Sequence, residues 1–378
     1  MTKKASVLHH VAHFLRRDPV LVAALVLAVV SSFYVPPSSA YLEYIDFHVL
    51  ALLFSLMLVV AGLQQTGAFD VLTDQLLKRV KSTRALAAVL VGVCFFASML
   101  ITNDVALITF VPLAILLLGR SEHGKLLMFV VVLQTIAANL GSSLTPLGNP
   151  QNLYLYSLSG MMLSEFLAVM LVPTALSAVL LVIAIATIRP TKINKPVSAG
   201  AGNNISLRQM VPWIVLFVIC LLAVLHLLHY LIMLAIVTAA VIVLDRTLLK
   251  KADYGLLFTF IGFFVFIGNM KSIPAVSEML SALVAQRELV IGVLLSQVIS
   301  NVPAAMLLSG FTTDYQNLLL GVNLGGLGTL IASMASMISF KIYAGTQGAK
   351  PGKYFLLFTV LNIVFLAILL PIMLLIAH

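Results

Sequence analysis

The sequence predicts an all-α polytopic membrane protein of two inverted-topology repeats, each with a re-entrant hairpin and a broken transmembrane helix. Three observations predict it. Hydrophobic residues are 61% of the 378 and charged residues only 9%, against about 25% charged in a soluble domain, so the bilayer must act as solvent. Apolar runs of spanning length, about 20 residues, recur along the chain. Two polar motifs occur twice, in the same order, on segments of opposite predicted orientation.

Residues 1–17 read as a cytoplasmic N-terminal segment. Lys3, Lys4, Arg16 and Arg17, ahead of an apolar run and Ser38-Ser39-Ala40, imitate a signal peptide. The amount of spanning sequence that follows favours an uncleaved first helix. The first repeat occupies 18–188, with spans at 18–35 and 46–64, a hairpin at about 85–118, a broken helix at about 126–157 and a last span at 162–188. A polar linker, 189–208, carries Pro190, Pro196 and a Gly/Asn cluster. The second repeat occupies 209–378, with spans at 209–227, 229–245 and 255–270, a hairpin at about 288–311, a broken helix at about 317–340 and a span at 354–376.

Lys and Arg set the orientation. With the N-terminus in the cytoplasm, only Lys271 and Arg287 of the 22 basic residues fall outside, and the C-terminus is external. The first hairpin then opens on the cytoplasmic side and the second on the outer side. Leu289 to Ile299 spans about 16 Å as helix, too short for a hydrocarbon core of about 30 Å. An amphipathic stretch precedes each hairpin: Phe69, Leu72, Leu76 and Val80 share one face, and Ile273, Val276, Leu280 and Leu283 another. Such helices lie in the membrane interface.

The composition also excludes functions. The formal charge of +9 marks cytoplasmic loops, so nucleic-acid binding is not expected. Cys94 and Cys220 lie in apolar runs and read as packing residues. The histidines show no HExxH spacing; His226 and His229 share a helical face, but at a helix end. There is no Walker A motif and no nucleophile–base pair within the apolar segments, so no enzyme is expected.

The hairpin tips read Thr102-Asn103-Asp104 and Ser300-Asn301-Val302. The broken helices read Asn139-Leu140-Gly141 and Asn323-Leu324-Gly325, with Thr145 and Thr329 each six positions after the asparagine. Broken helices at corresponding positions of inverted repeats point to a midplane site. Backbone groups opened by the break must be satisfied internally or line a cavity. Helix N-termini attract anions, while carbonyls with Asn and Thr oxygens suit a small hard cation. Asp104 is the one acid placed deep in the membrane, where a carboxylate needs a role: binding Na+, carrying H+, or capping the second arm. Gly141, Gly148, Gly325 and Gly328 permit bends and close approach. Gln134, Gln297 and Asn362 read as helix–helix hydrogen-bonding residues.

These motifs resemble the ion transporter superfamily, in its divalent anion/sodium symporter, citrate permease and arsenite permease branch. There each repeat has a Ser-Asn-Thr-like tip and an unwound stretch resembling NxGGxxTPIGTPPN. Here the first stretch is NLGSSLTPLGNPQN, Asn139 to Asn152, and the second begins NLGGLGTLI at Asn323. The resemblance implies a secondary transporter for a small anion, carboxylate or inorganic oxyanion, coupled to Na+ or H+. It works by alternating access, often as a homodimer in the cell membrane, without other cofactors. The implied substrate and ion ligands are Thr102, Asn103, Asp104, Asn139, Gly141, Thr145, Gly148 and Asn152, then Ser300, Asn301, Asn323, Gly325, Gly328 and Thr329. Na+ would sit at Asn103, Asp104 and Asn139, and at Asn301, Asn323 and Thr329. Val302 stands where carboxylate transporters carry a hydroxyl, and Asp104 would repel a nearby dianion unless neutralised. Arsenite-type efflux and Na+/H+ antiport are therefore alternative expectations.

Overall fold

A computed structural model describes residues 19–78, 80–119, 124–192 and 207–376. The predicted segment 1–17 and the linker residues 193–206 lie outside the described residues.

The chain begins with α1 (Pro19–Ser32), the short α2 (Ala40–Tyr44), α3 (Phe47–Gln65) and α4 (Ala68–Leu77). The first hairpin follows as α5 (Thr83–Ile101) and α6 (Asn103–Gly119). The segment expected to be broken is two helices, α7 (Gly124–Ser142) and α8 (Pro150–Ser159), and α9 (Leu163–Ala186) comes next. Beyond the linker lie α10 (Leu207–Val224), α11 (Tyr230–Asp245), α12 (Tyr254–Lys271) and α13 (Pro274–Val284). The second hairpin is α14 (Glu288–Ile299) and α15 (Asn301–Ser309). A second broken segment, α16 (Tyr315–Leu324) and α17 (Met334–Ala344), leads to α18 (Pro351–Ile376). Among the described residues, six helices are long and apolar enough to cross a membrane: α3, α5, α9, α11 with its 3-10 extension to Lys250, α12 and α18. The protein is an integral, all-α membrane protein.

The two hairpins differ in reach. The 19 residues of α5 span about 28 Å at 1.5 Å per residue, comparable with the hydrocarbon core. The 12 residues of α14 span about 18 Å.

Local chemistry fixes the ends. Ser82 caps α5 by accepting from the Ala85 amide (3.3 Å). Asn149 caps α8 by accepting from the Asn152 amide (2.9 Å), and Pro150 follows in the first turn, where its missing N–H costs nothing. Asp314 caps α16 through the Asn317 amide (3.0 Å). In α4 Thr73 and Leu77 are buried, as is Val80 just beyond its end, with Phe69 edge-on to Phe110, whereas Leu76 is exposed. Thr73 can be buried because its hydroxyl donates to the Phe69 carbonyl (2.6 Å).

Contacts divide the chain into two units, each drawing on both sequence halves. One comprises Met1–Ala61, Leu216–Arg287 and Met306–Thr313. In it α1 packs on α12, where Gly262 lies so close to Ala24 that an added Cβ would stand 3.0 Å from backbone. Asn269, fully buried, donates to Ser31 Oγ and Tyr41 Oη, both at 2.9 Å.

The other unit comprises Gly62–Val215, Glu288–Ala305 and Asp314–His378. Helix α7 is its axis and packs against α5, α6, α17 and α18. Residues Val130 through Ala138 are all buried, as expected of a helix surrounded on every side. Gln134 donates to the carbonyls of Leu90 (3.3 Å) and Phe110 (3.1 Å), tying both arms of the first hairpin to α7. The start of α5 is fastened to the end of α9, where Arg84 Nε donates to the Ile188 carbonyl (2.8 Å). Trp213, the single tryptophan, lies with its ring against Gly62 and is 7% exposed. Lipid takes the place of protein on the outer faces: Val182 and Ile183 of α9, and Leu356 and Ile363 of α18, are exposed in numbers that water would not tolerate.

Candidate functional site

Both hairpin tips and both broken helices belong to the second unit. Helix α5 ends at Ile101, and Thr102 adopts φ 66° before α6 begins. Ser300 adopts φ 76° between α14 and α15. Positive φ at a residue other than glycine costs about 1–3 kcal/mol and persists only where surroundings enforce it. The enforcing contact is of one kind in both. The Asn103 amide donates to the Gly148 carbonyl (3.2 Å) and the Asn301 amide to the Ala332 carbonyl (2.9 Å). Each acceptor lies nine positions after the asparagine of its broken helix.

Other contacts repeat at equal offsets. Thr145 donates its hydroxyl to the Met99 carbonyl, and Thr329 donates to the Gln297 carbonyl (3.2 Å). Those two carbonyls lie four positions before Asn103 and Asn301. Gly141 and Gly325 lie where the broken helices press on α5 and α14. A Cβ on either would meet Ser98 Oγ at 2.7 Å or Ser296 Oγ at 2.5 Å, so only glycine fits. Gly148 packs on the Ser142 carbonyl, and Gly328, at φ 108°, packs on the Gln297 amide.

The two asparagines of the breaks, Asn139 (4% exposed) and Asn323 (3%), are held by crossed contacts. Asn139 Oδ1 accepts from Asn103 Nδ2 (2.9 Å) and from Ser333 Oγ (3.0 Å). Its Nδ2 donates to Ser336 Oγ (3.2 Å) and the Gly326 carbonyl (3.4 Å). Asn323 Oδ1 accepts from Asn149 Nδ2 (3.2 Å), and its Nδ2 donates to Asn152 Oδ1 (2.7 Å) and the Leu319 carbonyl (2.8 Å). So each asparagine is gripped by the residues ten and thirteen positions after the other.

The carbonyls freed by the breaks are satisfied by amides. Asn152 Nδ2 donates to the carbonyls of Ser142 (3.2 Å), Ser143 (3.2 Å) and Thr145 (3.1 Å). Gln297 Nε2 does the same for Gly325 (3.0 Å) and Leu327 (2.9 Å), while its Oε1 accepts from the Thr329 amide (2.9 Å). Where no water competes, an open carbonyl would cost several kcal/mol, roughly.

The tips are not equivalent. Asn103 Nδ2 is committed to Asn139. Asn301 Nδ2 faces Gly326, and among the described residues it makes no hydrogen bond. Asp104 stands in the first turn of α6, where the helix dipole favours its charge, and its amide donates to Asn103 Oδ1 (3.0 Å). Val302, its counterpart, is buried. One turn from Asn139, Thr135 donates to Ser339 Oγ (2.7 Å), which lies 3.2 Å from Tyr354 Oη.

Thus Thr102, Asn103, Asp104, Asn139, Gly141, Thr145, Gly148, Asn152, Ser300, Asn301, Asn323, Gly325, Gly328 and Thr329 all lie at the tips or breaks of one unit. Thr329 is exposed, and the hydroxyls of Thr145 and Thr329 turn toward hairpin backbone. Sequence reasoning missed Asn149, Ser333 and Ser336, and read Gln297 as a helix–helix hydrogen-bonding residue without placing it at the second break. Equal offsets from Asn139 and Asn323 were the available signal. Among the described residues there is no group of three metal-ligating side chains; His229 Nδ1 accepts from the Leu231 amide (3.3 Å). The site is dense in neutral oxygens and amides with one carboxylate, a chemistry for holding ions.

The chain matches the citrate transporter family over residues 10–314. It is 32% identical over 320 residues to an uncharacterized transporter of Methanocaldococcus jannaschii, covering 84% of this chain and 86% of that one. It is 31% identical over 317 residues to the inner membrane protein YbiR of Escherichia coli, covering 82% and 84%. A shorter match, 38% over 109 residues, covers 29% of this chain and 22% of the silicon efflux transporter LSI3 of Oryza sativa subsp. japonica.

Proposed function

Because the chain belongs to the citrate transporter family, we propose that this membrane transporter moves a small anion by cation-coupled alternating access. The anion is a carboxylate or an inorganic oxyanion, and the coupling ion is Na+ or H+. The observation that carries the reading is the crossed grip on Asn139 and Asn323. It joins two interrupted helices and two hairpin tips into one buried cluster of oxygens and amides. In this reading Asn103, Asp104 and Asn139 bind one cation, and Asn301, Asn323 and Thr329 a second. The anion docks at the second tip, where Asn301 Nδ2 and the N-terminus of α15 supply positive ends of dipoles. A cation or proton at Asp104 removes the repulsion that its carboxylate would exert. The equal hydrogen-bond offsets support two related repeats, 18–188 and 209–378, and the Lys/Arg bias supports a cytoplasmic N-terminus. A homodimer in the cell membrane is the assembly that we expect.

Export of a small oxyanion is a second reading. It is favoured by the partial match to a silicon efflux transporter and by Val302, which leaves the second tip one hydroxyl poorer. Purified protein in liposomes separates the readings through internal pH and Na+ flux, measured with and without citrate or arsenite. Coupled anion transport requires anion and cation together. Na+-driven proton movement without any anion would replace it with antiport. Resistance conferred on an arsenite-sensitive host would favour export. No ion movement under any of these conditions would overturn the transporter cycle proposed here.

A further inference from the structure

The crossed contacts do more than hold two asparagines. Gly148-Asn149 and Ala332-Ser333 are each a two-residue clip. The carbonyl of the first residue accepts the amide of its own half's tip, Asn103 (3.2 Å) or Asn301 (2.9 Å). The side chain of the second reaches the opposite asparagine, Asn323 (3.2 Å) or Asn139 (3.0 Å). Asn139 Oδ1 in turn accepts from Asn103 Nδ2 (2.9 Å). A continuous path therefore runs from tip Asn103 through Asn139, Ser333 and Ala332 to tip Asn301. A second path runs from Asn103 through Gly148 and Asn149 to Asn323.

Asn149 and Ser333 are each 1% exposed, so no bulk water can replace a lost contact, and a buried partner left unsatisfied is costly. Neither tip can reorganise without moving the clip that holds the other half's asparagine. We propose that Asn149 and Ser333 are positioning residues that couple the two half-sites, so that an ion held at one tip raises affinity at the other. This rests on the reading above that both tips bind transported ions. The linkage is reciprocal by thermodynamic necessity.

Hydrogen exchange on the purified full-length protein tests the structural link without any ligand. In Ser333→Ala, exchange should rise about five-fold, the effect of one lost hydrogen bond, at residues 329–336 and also across the path at 101–105 and 139–149. Asn149→Ala should do the same at its own segment and, across the path, at 323–326. Ser333→Thr, which keeps the hydroxyl, should restore protection, and Asn149→Ser serves where the alanine variant does not fold. Exchange that rises only beside each substitution would overturn the proposal. A second arm titrates NaCl against uptake of citrate or arsenite in liposomes at constant ionic strength. Wild type should give a Hill coefficient above 1, and Ser333→Ala a value near 1. A wild-type protein indifferent to Na+ and pH would instead remove the function reading, while the exchange result would still decide whether the clips couple the tips. Cooperativity unchanged in the variant would also sink the coupling.

Discussion

Replacing Gln297 by methionine keeps the shape of the side chain and removes its amide. Three groups outside its own helix then lose a partner, the carbonyls of Gly325 and Leu327 and the amide of Thr329, and the Val293 carbonyl one turn back loses its bond from Nε2. Gly325 and Leu327 are buried, whereas Thr329 is exposed and its amide can turn to water. Taking the low end of the unsatisfied-group penalty for the two carbonyls and less for the amide gives about 2–3 kcal/mol. At 1.36 kcal/mol per decade, that is about 30- to 150-fold in the local opening equilibrium. Hydrogen exchange at 325–333 should accelerate by that factor. Helix α12 (Tyr254–Lys271), which belongs to the other unit, should keep wild-type rates and serve as the internal standard. Transport should fall with the population of the ordered segment. Unchanged exchange at 325–333 in a folded variant would show that the second break is stable without its glutamine, and would refute the reasoning.

Asp104→Asn should abolish cation dependence, read in liposomes, while the protein still inserts; full cation-coupled transport by the variant would contradict the role given to the carboxylate. Asn103→Ala and Asn301→Ala should each reduce transport severely, but only Asn103→Ala should also lower the melting temperature appreciably, because Asn103 Nδ2 is bonded to Asn139. Equal melting shifts would remove the asymmetry between the tips. Gly141→Ala should cost about 1–3 kcal/mol of overpacking, since its Cβ would press on Phe95 backbone and Ser98. Thermal unfolding in detergent measures it, and Gly92→Ala, where a Cβ meets nothing within 4 Å, is the control.

The tips and the breaks were legible because the same residues recur in both halves: Asn103 with Asn301, Asn139 with Asn323, Gly141 with Gly325, Thr145 with Thr329. The grips were not, because Asn149 faces Ser333 across the comparison, and Asn152 faces Ser336. An amide and a hydroxyl can hold the same carboxamide from the same offset, so function is retained where identity is not. Gln297 reads from sequence only as a helix–helix hydrogen-bonding residue, because Met99 stands in its place in the first half. The structure supplies the reason. Asn152 caps the first break and grips Asn323 at once, whereas the shorter Ser336 reaches only across, leaving the second break to be capped from its hairpin arm.

The seat of Trp213 against Gly62 has a practical consequence. With a single indole in the chain, ultraviolet emission excited at the red edge comes from one known place, free of overlapping bands from elsewhere. Its wavelength and yield report whether that ring still lies on bare backbone. The unlabelled polypeptide thus carries its own spectroscopic gauge of the contact between α3 and α10, readable during any addition of salt, acid or solute.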